Sequence, residues 1–315
     1  MISIDGARFA SLLRVVEATA AAWPGHERAM AKSFAKRTEA DLQHADMMSA
    51  MVLKLAPEIA SGLSELAEDY RFLCEKIILP EEIHFRRTGT YRLTTFSEAL
   101  ETVYNDDVYM TRYMNGLLMS CILWVNHARA LQHYAEALLP RIRRGQRLLE
   151  IGPGHGLLLC VACKDGGLDV NAWDVSKASL AQTRAAARTL GIEGDVHFAQ
   201  RDIFALPQGE LPDAERFDAI VLSEVLEHLE RPREALESLR NLTRPGGFVW
   251  VNVPVNSPAP DHIFLLRHPD EARALLIEAG FIIVDEALFA MNDVEIEKAI
   301  RQGLTISCAI LAQRP

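Results

Sequence analysis

The sequence has few cysteines, no surplus of positive charge and no long apolar run. Its five cysteines among 315 residues are odd in number and scattered, which argues against a disulfide framework and predicts a reducing cytoplasm. Lysine and arginine number 33 against 43 aspartates and glutamates, and this acidic balance argues against a nucleic-acid partner. The most apolar run, residues 116–125, is too short to span a bilayer and predicts a buried helix, so no membrane partner is expected.

What is present is the composition of a folded protein. Hydrophobic residues make up 49% and charged residues 24% of the chain, and the length predicts one large domain with a smaller one. The N-terminus carries acidic residues and lacks the charged-then-apolar order of a signal peptide. Only a change of hydrophobic period marks a boundary, which predicts domains at residues 1–140 and 141–315.

The first domain has a helical period. Apolar residues recur at steps of three and four, as in Leu63, Leu66, Tyr70, Leu73 and Ile77. Residues 85–100 interrupt this pattern with a glycine turn between β-favouring residues. They predict a short β-hairpin, with Ser97 as the N-cap of the next helix.

The second domain alternates between strand-like and helical runs, a pattern typical of βαβ units and a mostly parallel sheet. Strands are predicted at residues 147–151, 169–174, 195–200, 217–222, 247–253, 281–289 and 304–313. Helices are predicted at residues 157–165, 176–190, 232–243 and 269–279, with room for a short helix within 291–303. The fold class is therefore α/β, preceded by a mainly α-helical domain.

A glycine-rich bend follows the first predicted strand, at the place where a parallel sheet holds a nucleotide. Its glycines are Gly152, Gly154 and Gly156, and Glu150 precedes them inside the strand end. Their G-x-G-x-G spacing differs from the G-x-G-x-x-G of dinucleotide sites, which disfavours a nicotinamide oxidoreductase. A carboxylate at position 150 would repel a pyrophosphate, whereas it can accept a hydrogen bond from an ammonium group or organise the turn.

Two further acidic residues follow the second and third strands. Asp174 lies at the distance from the glycines where a carboxylate reaches ribose hydroxyls, and helix N-capping is an equal alternative. Asp202 is placed to bind an exocyclic amine such as that of adenine, with a turn residue as the alternative.

Together these motifs resemble, in order and spacing, the class I S-adenosylmethionine-dependent methyltransferases. The similarity covers about residues 145–315 and rests on LLEIGPGHG, NAWDVS, RDIFAL, FDAIVLSEVLEHLERPREAL and LTRPGGFVWVNVP. It implies a Rossmann-like seven-stranded sheet with a final antiparallel strand, and S-adenosylmethionine as cofactor. It also implies that Gly152, Gly154 and Gly156 lie along the methionine part, that Asp174 holds the ribose, and that Asp202 contacts the adenine together with the backbone of Ile203. Glu150, Val175 and Ser223 are the other predicted cofactor-binding residues.

Methyl transfer asks the protein to align an acceptor and to remove its proton. His228, just beyond the fourth strand, and His262, in a proline-rich loop after the fifth, are the candidate bases. The alternative for His228 is a packed helix-start residue, and His155 in the glycine turn is expected to shape the pocket. No ligand spacing supports a metal site among Asp261, His262, Glu224 and His228, so no metal is predicted.

The first domain is expected to specify the acceptor. The motif GTYRLTTFSEAL resembles the wing of the winged-helix dimerisation domain of small-molecule O-methyltransferases. That similarity implies a homodimer and favours His228 as base, although LEHL departs from the His-Asp-Trp pattern of those enzymes. Tyr109 and Tyr113, together with His262, are the predicted substrate-binding residues, with helix core as the alternative for each tyrosine.

The leading hypothesis is thus transfer of a methyl group from S-adenosylmethionine to a small organic acceptor in natural product biosynthesis, with oxygen favoured over nitrogen or carbon. The alternative is a catalytically silent protein of the same fold that acts through dimerisation.

Overall fold

A computed structural model describes residues 4–164, 166–206 and 212–315. Backbone contacts divide them into two compact units. The first contains the described residues up to Gln132 together with 257–263 and 289–304, and the second contains 133–256, 264–288 and 305–315. The division of function between residues 1–140 and 141–315 stays a prediction.

Helices build the first unit, as the period predicted. Their apolar faces pack together, and Leu12, Met48, Leu66 and Tyr70 are fully buried. Arg129 ties in the late segment 289–304, because its guanidinium contacts Asp41 at 3.0 Å and Asp293 at 2.7 Å. The helices up to the second unit are α1 Ala10–Ala22, α2 Glu27–Phe34, α3 Glu39–Ile59, α4 Leu63–Phe72, α5 Leu79–Thr88, α6 Phe96–Ala99, α7 Asp107–Leu123 and α8 Val125–His133.

The predicted β-hairpin at residues 85–100 is wrong. Helix α5 continues to Thr88, and Gly89 ends it in a left-handed conformation, φ 73°, whose N–H bonds to the Phe85 carbonyl oxygen. The glycine is therefore a helix C-cap and not a hairpin turn. Ser97 as N-cap is also wrong, because the cap of α6 is Thr95, which forms a capping box with Glu98.

The second unit alternates strands and helices close to the predicted positions. Its strands are β1 Arg147–Ile151, β2 Asp169–Asp174, β3 Val196–Gln200, β4 Phe217–Ser223, β5 Thr243–Val255, β6 Ile282–Ala290 and β7 Ile306–Gln313. Its helices are α9 Leu157–Cys163, α10 Lys177–Leu190, α11 Pro232–Leu242 and α12 Pro269–Glu278, while α13 Ile296–Gln302 belongs to the first unit. Asp165, the predicted end of α9, lies outside the described residues.

The sheet has the order β3-β2-β1-β4-β5-β7-β6. Strand β1 pairs in parallel with β2 on one side and β4 on the other, so the strand order reverses at β1 and β4. Strand β7 pairs antiparallel with β5, which confirms the predicted antiparallel strand. In such sheets the ligand lies outside the carboxyl ends of the strands, at the point of reversal.

Among the described residues, no helix combines the length and the apolar character that crossing a membrane requires.

Candidate cofactor and acceptor sites

The glycine turn follows β1 directly. Gly152, Gly154 and Gly156 have φ values of 65°, 51° and 76°, a region that L side chains rarely adopt. A Cβ atom on Gly152 would come within 2.9 Å of Val225 Cγ2, just after β4. Glycine at position 152 thus lets the chain segments after the two central strands approach each other closely.

Glu150 lies at the carboxyl end of β1 with only 2% of its surface exposed. Burial raises the pKa of its carboxyl group well above the usual value. Its Oε2 atom is buried and has no hydrogen-bond partner among the described residues. Buried polar atoms nearly always have a partner, so this unsatisfied oxygen beside the glycine turn fits a cofactor with a cationic ammonium group.

His155 lies inside the turn, where burial lowers its pKa to about 4. Its ring is therefore neutral at physiological pH. Its Nδ1 accepts a hydrogen bond from the Leu157 N–H at 3.4 Å, at the start of α9. This bond within the turn agrees with the expected role of shaping the pocket.

Asp174 ends β2, and its carboxylate organises the following turn. It accepts hydrogen bonds from the Ser176 N–H at 2.8 Å and the Ser179 hydroxyl at 2.6 Å. The N-cap of α10 is Ser176 and not Asp174. The side chain of the next residue, Val175, is exposed beside it.

The end of β3 lies next to this turn, because the Arg201 N–H donates to the Asp174 carbonyl oxygen at 3.0 Å. Asp202 follows, and its carboxylate accepts from the Phe204 N–H at 2.8 Å. Asp202 therefore has the role of a turn residue, which is its alternative interpretation from the sequence. Its side chain is exposed, whereas Ile203 is buried. Each carboxylate oxygen can accept more than one hydrogen bond. Asp174 and Asp202 can therefore both accept further hydrogen bonds from a ligand.

A polar cluster that was not predicted lies at the end of β4. Glu224 follows Ser223 with φ 54°, an uncommon conformation for a residue other than glycine. The Asn252 amide on β5 donates to Glu224 Oε1 at 2.8 Å and to Ser223 Oγ at 3.3 Å. Burial raises the pKa of Glu224 to about 7, and its interactions with the neighbouring Glu227 and with the Asn252 amide oppose the rise. The sequence feature that could have indicated this polar cluster is the pair of glutamates in SEVLEHL.

His228 ends the short 3₁₀ turn Leu226–His228. Its Nε2 lies 4.0 Å from the buried carboxylate of Glu227, and about a quarter of its side chain is exposed. It is therefore accessible.

The predicted acceptor-binding residues Tyr109 and Tyr113 lie in the first unit, on α7. The Tyr113 hydroxyl donates to Asp261 Oδ1 at 2.8 Å, and the Tyr104 hydroxyl donates to Oδ2 at 3.0 Å. Tyr109 is half-buried, with its ring 6.2 Å from that of Tyr113. Burial and the charge of Asp261 raise the pKa of Tyr109 to about 12, so its hydroxyl stays protonated. The sequence suggests Asp261 only as a candidate metal ligand, and it does not predict the two tyrosine partners of this carboxylate.

His262, next to Asp261, is buried in the first unit. Its Nδ1 lies 2.7 Å from the Ser257 carbonyl oxygen. A carbonyl oxygen can only accept, so Nδ1 carries the hydrogen and Nε2 of the neutral ring carries the lone pair. The edge of the ring also meets Tyr91, at 5.8 Å between ring centres.

Comparison with known proteins agrees with this architecture. The family described as "Methyltransferase domain" matches residues 123–282. The chain belongs to this family and is a class I S-adenosylmethionine-dependent methyltransferase by fold and motifs. S-adenosylmethionine is the cofactor of that class. The winged-helix resemblance of the first half is not supported, since the described residues 85–100 contain no strand.

Two relatives and one solved structure illustrate the similarity. A ubiquinone biosynthesis O-methyltransferase of Alkalilimnicola ehrlichii is 36% identical over 33% of this chain and 40% of its own length. A malonyl-[acyl-carrier protein] O-methyltransferase of Halalkalibacterium halodurans is 28% identical over 58% of this chain and 72% of its own length. The [4+2]-cyclase SpnF has a TM-score of 0.49 and 19% identity, with 60% of this chain and 81% of that chain covered.

The ubiquinone biosynthesis relatives are matched only in part. The aligned residues span 40 to 47% of the length of three of them. The activity and the acceptor of the whole protein are therefore proposals, and so are the roles of the individual site residues.

The glycine turn allows a test with a matched control. We expect Gly152→Ala to weaken binding of S-adenosylhomocysteine by about tenfold or more, because the new methyl group meets Val225 and the left-handed backbone is strained. Gly194→Ala should bind normally, since nothing lies within 4 Å of a Cβ atom there and its φ is not positive. Isothermal titration calorimetry measures both, and equal affinities would contradict the assignment.

Glu224 predicts a pH dependence of stability. Its pKa of about 7 in the folded chain exceeds the ordinary value of 4.5, so the folded state favours the protonated form. Ionising this buried carboxyl group costs stability, so the free energy of unfolding is highest below pH 4.5 and falls as the pH rises from there through 7. We expect the melting temperature of Glu224→Gln to fall less between pH 5 and pH 8 than that of the unaltered protein. The exposed Glu237→Gln is the control, and parallel curves for all three proteins would refute the shift.

Proposed function

We propose that the protein transfers a methyl group from S-adenosylmethionine to a hydroxyl oxygen of a small organic acceptor, in the biosynthesis of a specialised metabolite. The observation that carries the proposal is the set of neighbouring loops after β1, β2 and β3. A glycine turn beside a buried carboxyl group, followed by Asp174 and Asp202 at adjacent strand ends, suits an amino acid joined to adenosine.

Oxygen as the acceptor atom is supported by the names of the relatives, both of which are O-methyltransferases. The first unit adds an aromatic surface with a polar anchor. Tyr104 and Tyr113 hold Asp261 in place, and the half-buried ring of Tyr109 lies next to Tyr113. An apolar wall with a few fixed polar atoms suits a small organic molecule that carries hydroxyl groups.

His262 is the base that we propose for the acceptor proton. Bound S-adenosylmethionine supplies a methyl group activated by its sulfonium. The acceptor oxygen would give an electron pair to that carbon. S-adenosylhomocysteine would leave with the electron pair of the broken carbon–sulfur bond, and His262 Nε2, which the Nδ1 bond to Ser257 leaves unprotonated, would take the proton of the acceptor hydroxyl. His228 is the second candidate, since about a quarter of its side chain is exposed and its Nε2 lies 4.0 Å from Glu227.

The test is methyl transfer from radiolabelled S-adenosylmethionine to a panel of phenols, catechols, carboxylic acids and amines. We expect labelled phenols or catechols, and a loss of about 100-fold or more in kcat for His262→Ala with cofactor affinity unchanged. The exposed His197→Ala is the control. If His228→Ala lost kcat to this extent and His262→Ala did not, His228 would be the base. Cofactor binding without transfer to any compound, or to a cell extract, would instead favour the silent partner.

We also propose a cytoplasmic homodimer. Exposed apolar side chains on α6, in the π-helical segment Leu100–Tyr104 and on α7 support a protein contact, namely Phe96, Leu100 and Val108. Sedimentation velocity at micromolar concentration should give a mass near 70 kDa, twice the 35.1 kDa of one chain. A single species with the mass of one chain would contradict the dimer. The substitution Val108→Asp, which places a charge on the exposed apolar surface, should shift the protein towards that species.

A further inference from the structure

Tyr134 is a buried residue in the second unit for which neither the sequence motifs nor the proposed reaction gives a role. It begins the π-helical segment Tyr134–Leu138, which precedes β1. Its side chain is fully buried, and its hydroxyl has no hydrogen-bond partner among the described residues. Buried hydroxyl groups are almost always paired in folded proteins, so this one requires an explanation.

The sheet register places Tyr134 on the same face as Glu150. Glu150 on β1 pairs with Val221 on β4, and Val221 pairs with Trp250 on β5. Paired residues of neighbouring strands point to one face, so the side chains of Glu150 and Trp250 lie on a common side. The Tyr134 ring packs edge-on against Trp250, with 5.3 Å between ring centres.

The two groups also interact electrostatically. The charge of Glu150 adds to burial in raising the pKa of Tyr134. Burial above all, with a smaller contribution from the charge of Glu150, raises the pKa of Cys163 at the end of α9 to about 12. Two unsatisfied polar atoms, Tyr134 Oη and Glu150 Oε2, therefore lie on the same face of the sheet.

We propose that Tyr134 is a positioning residue for the cofactor site and acts on Glu150 through one buried water molecule. The Tyr134 hydroxyl donates to the water, and the water donates to Glu150 Oε2. A polar gap with at least two partners is the environment in which a buried water is retained. Held in this way, the carboxyl group is oriented to receive the ammonium group of the methionine part. The inference rests on the proposed cofactor.

The test compares two ligands that differ in the part concerned. S-adenosylhomocysteine carries the amino acid, whereas 5′-methylthioadenosine lacks it and keeps the adenosine and sulfur. By calorimetry, Tyr134→Phe should weaken S-adenosylhomocysteine about tenfold, the effect of losing one hydrogen bond, and leave 5′-methylthioadenosine unchanged. Tyr70→Phe, the same change at another buried tyrosine, should affect neither ligand.

A double-mutant cycle tests the coupling. Glu150→Gln should weaken S-adenosylhomocysteine selectively, and adding Tyr134→Phe should cause no further loss. Fully additive losses, an unchanged Tyr134→Phe variant, or equal losses for both ligands would overturn the inference while leaving the proposed function intact. If neither ligand bound the unaltered protein, the proposed function would fall together with it.

A high-resolution crystal structure of the unaltered protein with S-adenosylhomocysteine provides a second test that does not depend on how the variants fold. We expect a water molecule within hydrogen-bond distance of both Tyr134 Oη and Glu150 Oε2. A direct bond between the two side chains, or a dry contact, would contradict the inference.

Discussion

The candidate cofactor site depends on one constraint, which is that β1 pairs in parallel with β2 and with β4. Because the strand order reverses there, the chain leaves the two central strands in opposite directions at one edge of the sheet. The glycine turn lies at this point of reversal, directly after β1. Its left-handed backbone and its lack of side chains let the loops after β1 and β4 come into contact.

Several carboxyl groups at the carboxyl ends of the central strands are buried away from water. Glu150 and Glu227 are almost fully buried, and burial raises the pKa of Glu224. Such groups cost stability unless they are protonated, paired or matched by a cation. Clusters of buried carboxyl groups with raised pKa values are typical of functional sites, which is why we propose that these groups face a charged ligand.

The sheet could be predicted from the sequence because its strands are short apolar runs with clear punctuation. Gly152 follows β1 directly, Asp174 ends β2 and Asp202 lies two residues after β3, so their place in the fold follows from the strand assignment alone. The parallel part of the sheet depends on local pattern and on the strong preference of βαβ units for one topology. The antiparallel β7 was expected only from the resemblance to the class I methyltransferases.

The first half was harder because its signals are ambiguous locally. A glycine between β-favouring residues predicted a hairpin, yet Gly89 ends a helix, and Thr95 with Glu98 starts the next one. β-propensity is weak without cross-strand partners, and none exists for residues 85–100 in the described chain. The contacts of Asp261 with Tyr104 and Tyr113 join residues about 150 positions apart, so no local pattern could indicate them.

The most direct test of the account is a crystal structure of the protein with S-adenosylhomocysteine. We predict that the ribose hydroxyls contact Asp174, that the adenine lies beside Asp202 and Ile203, and that the amino acid end lies at the glycine turn near Glu150. A ligand bound elsewhere, or one whose adenosine does not reach the ends of β2 and β3, would contradict it.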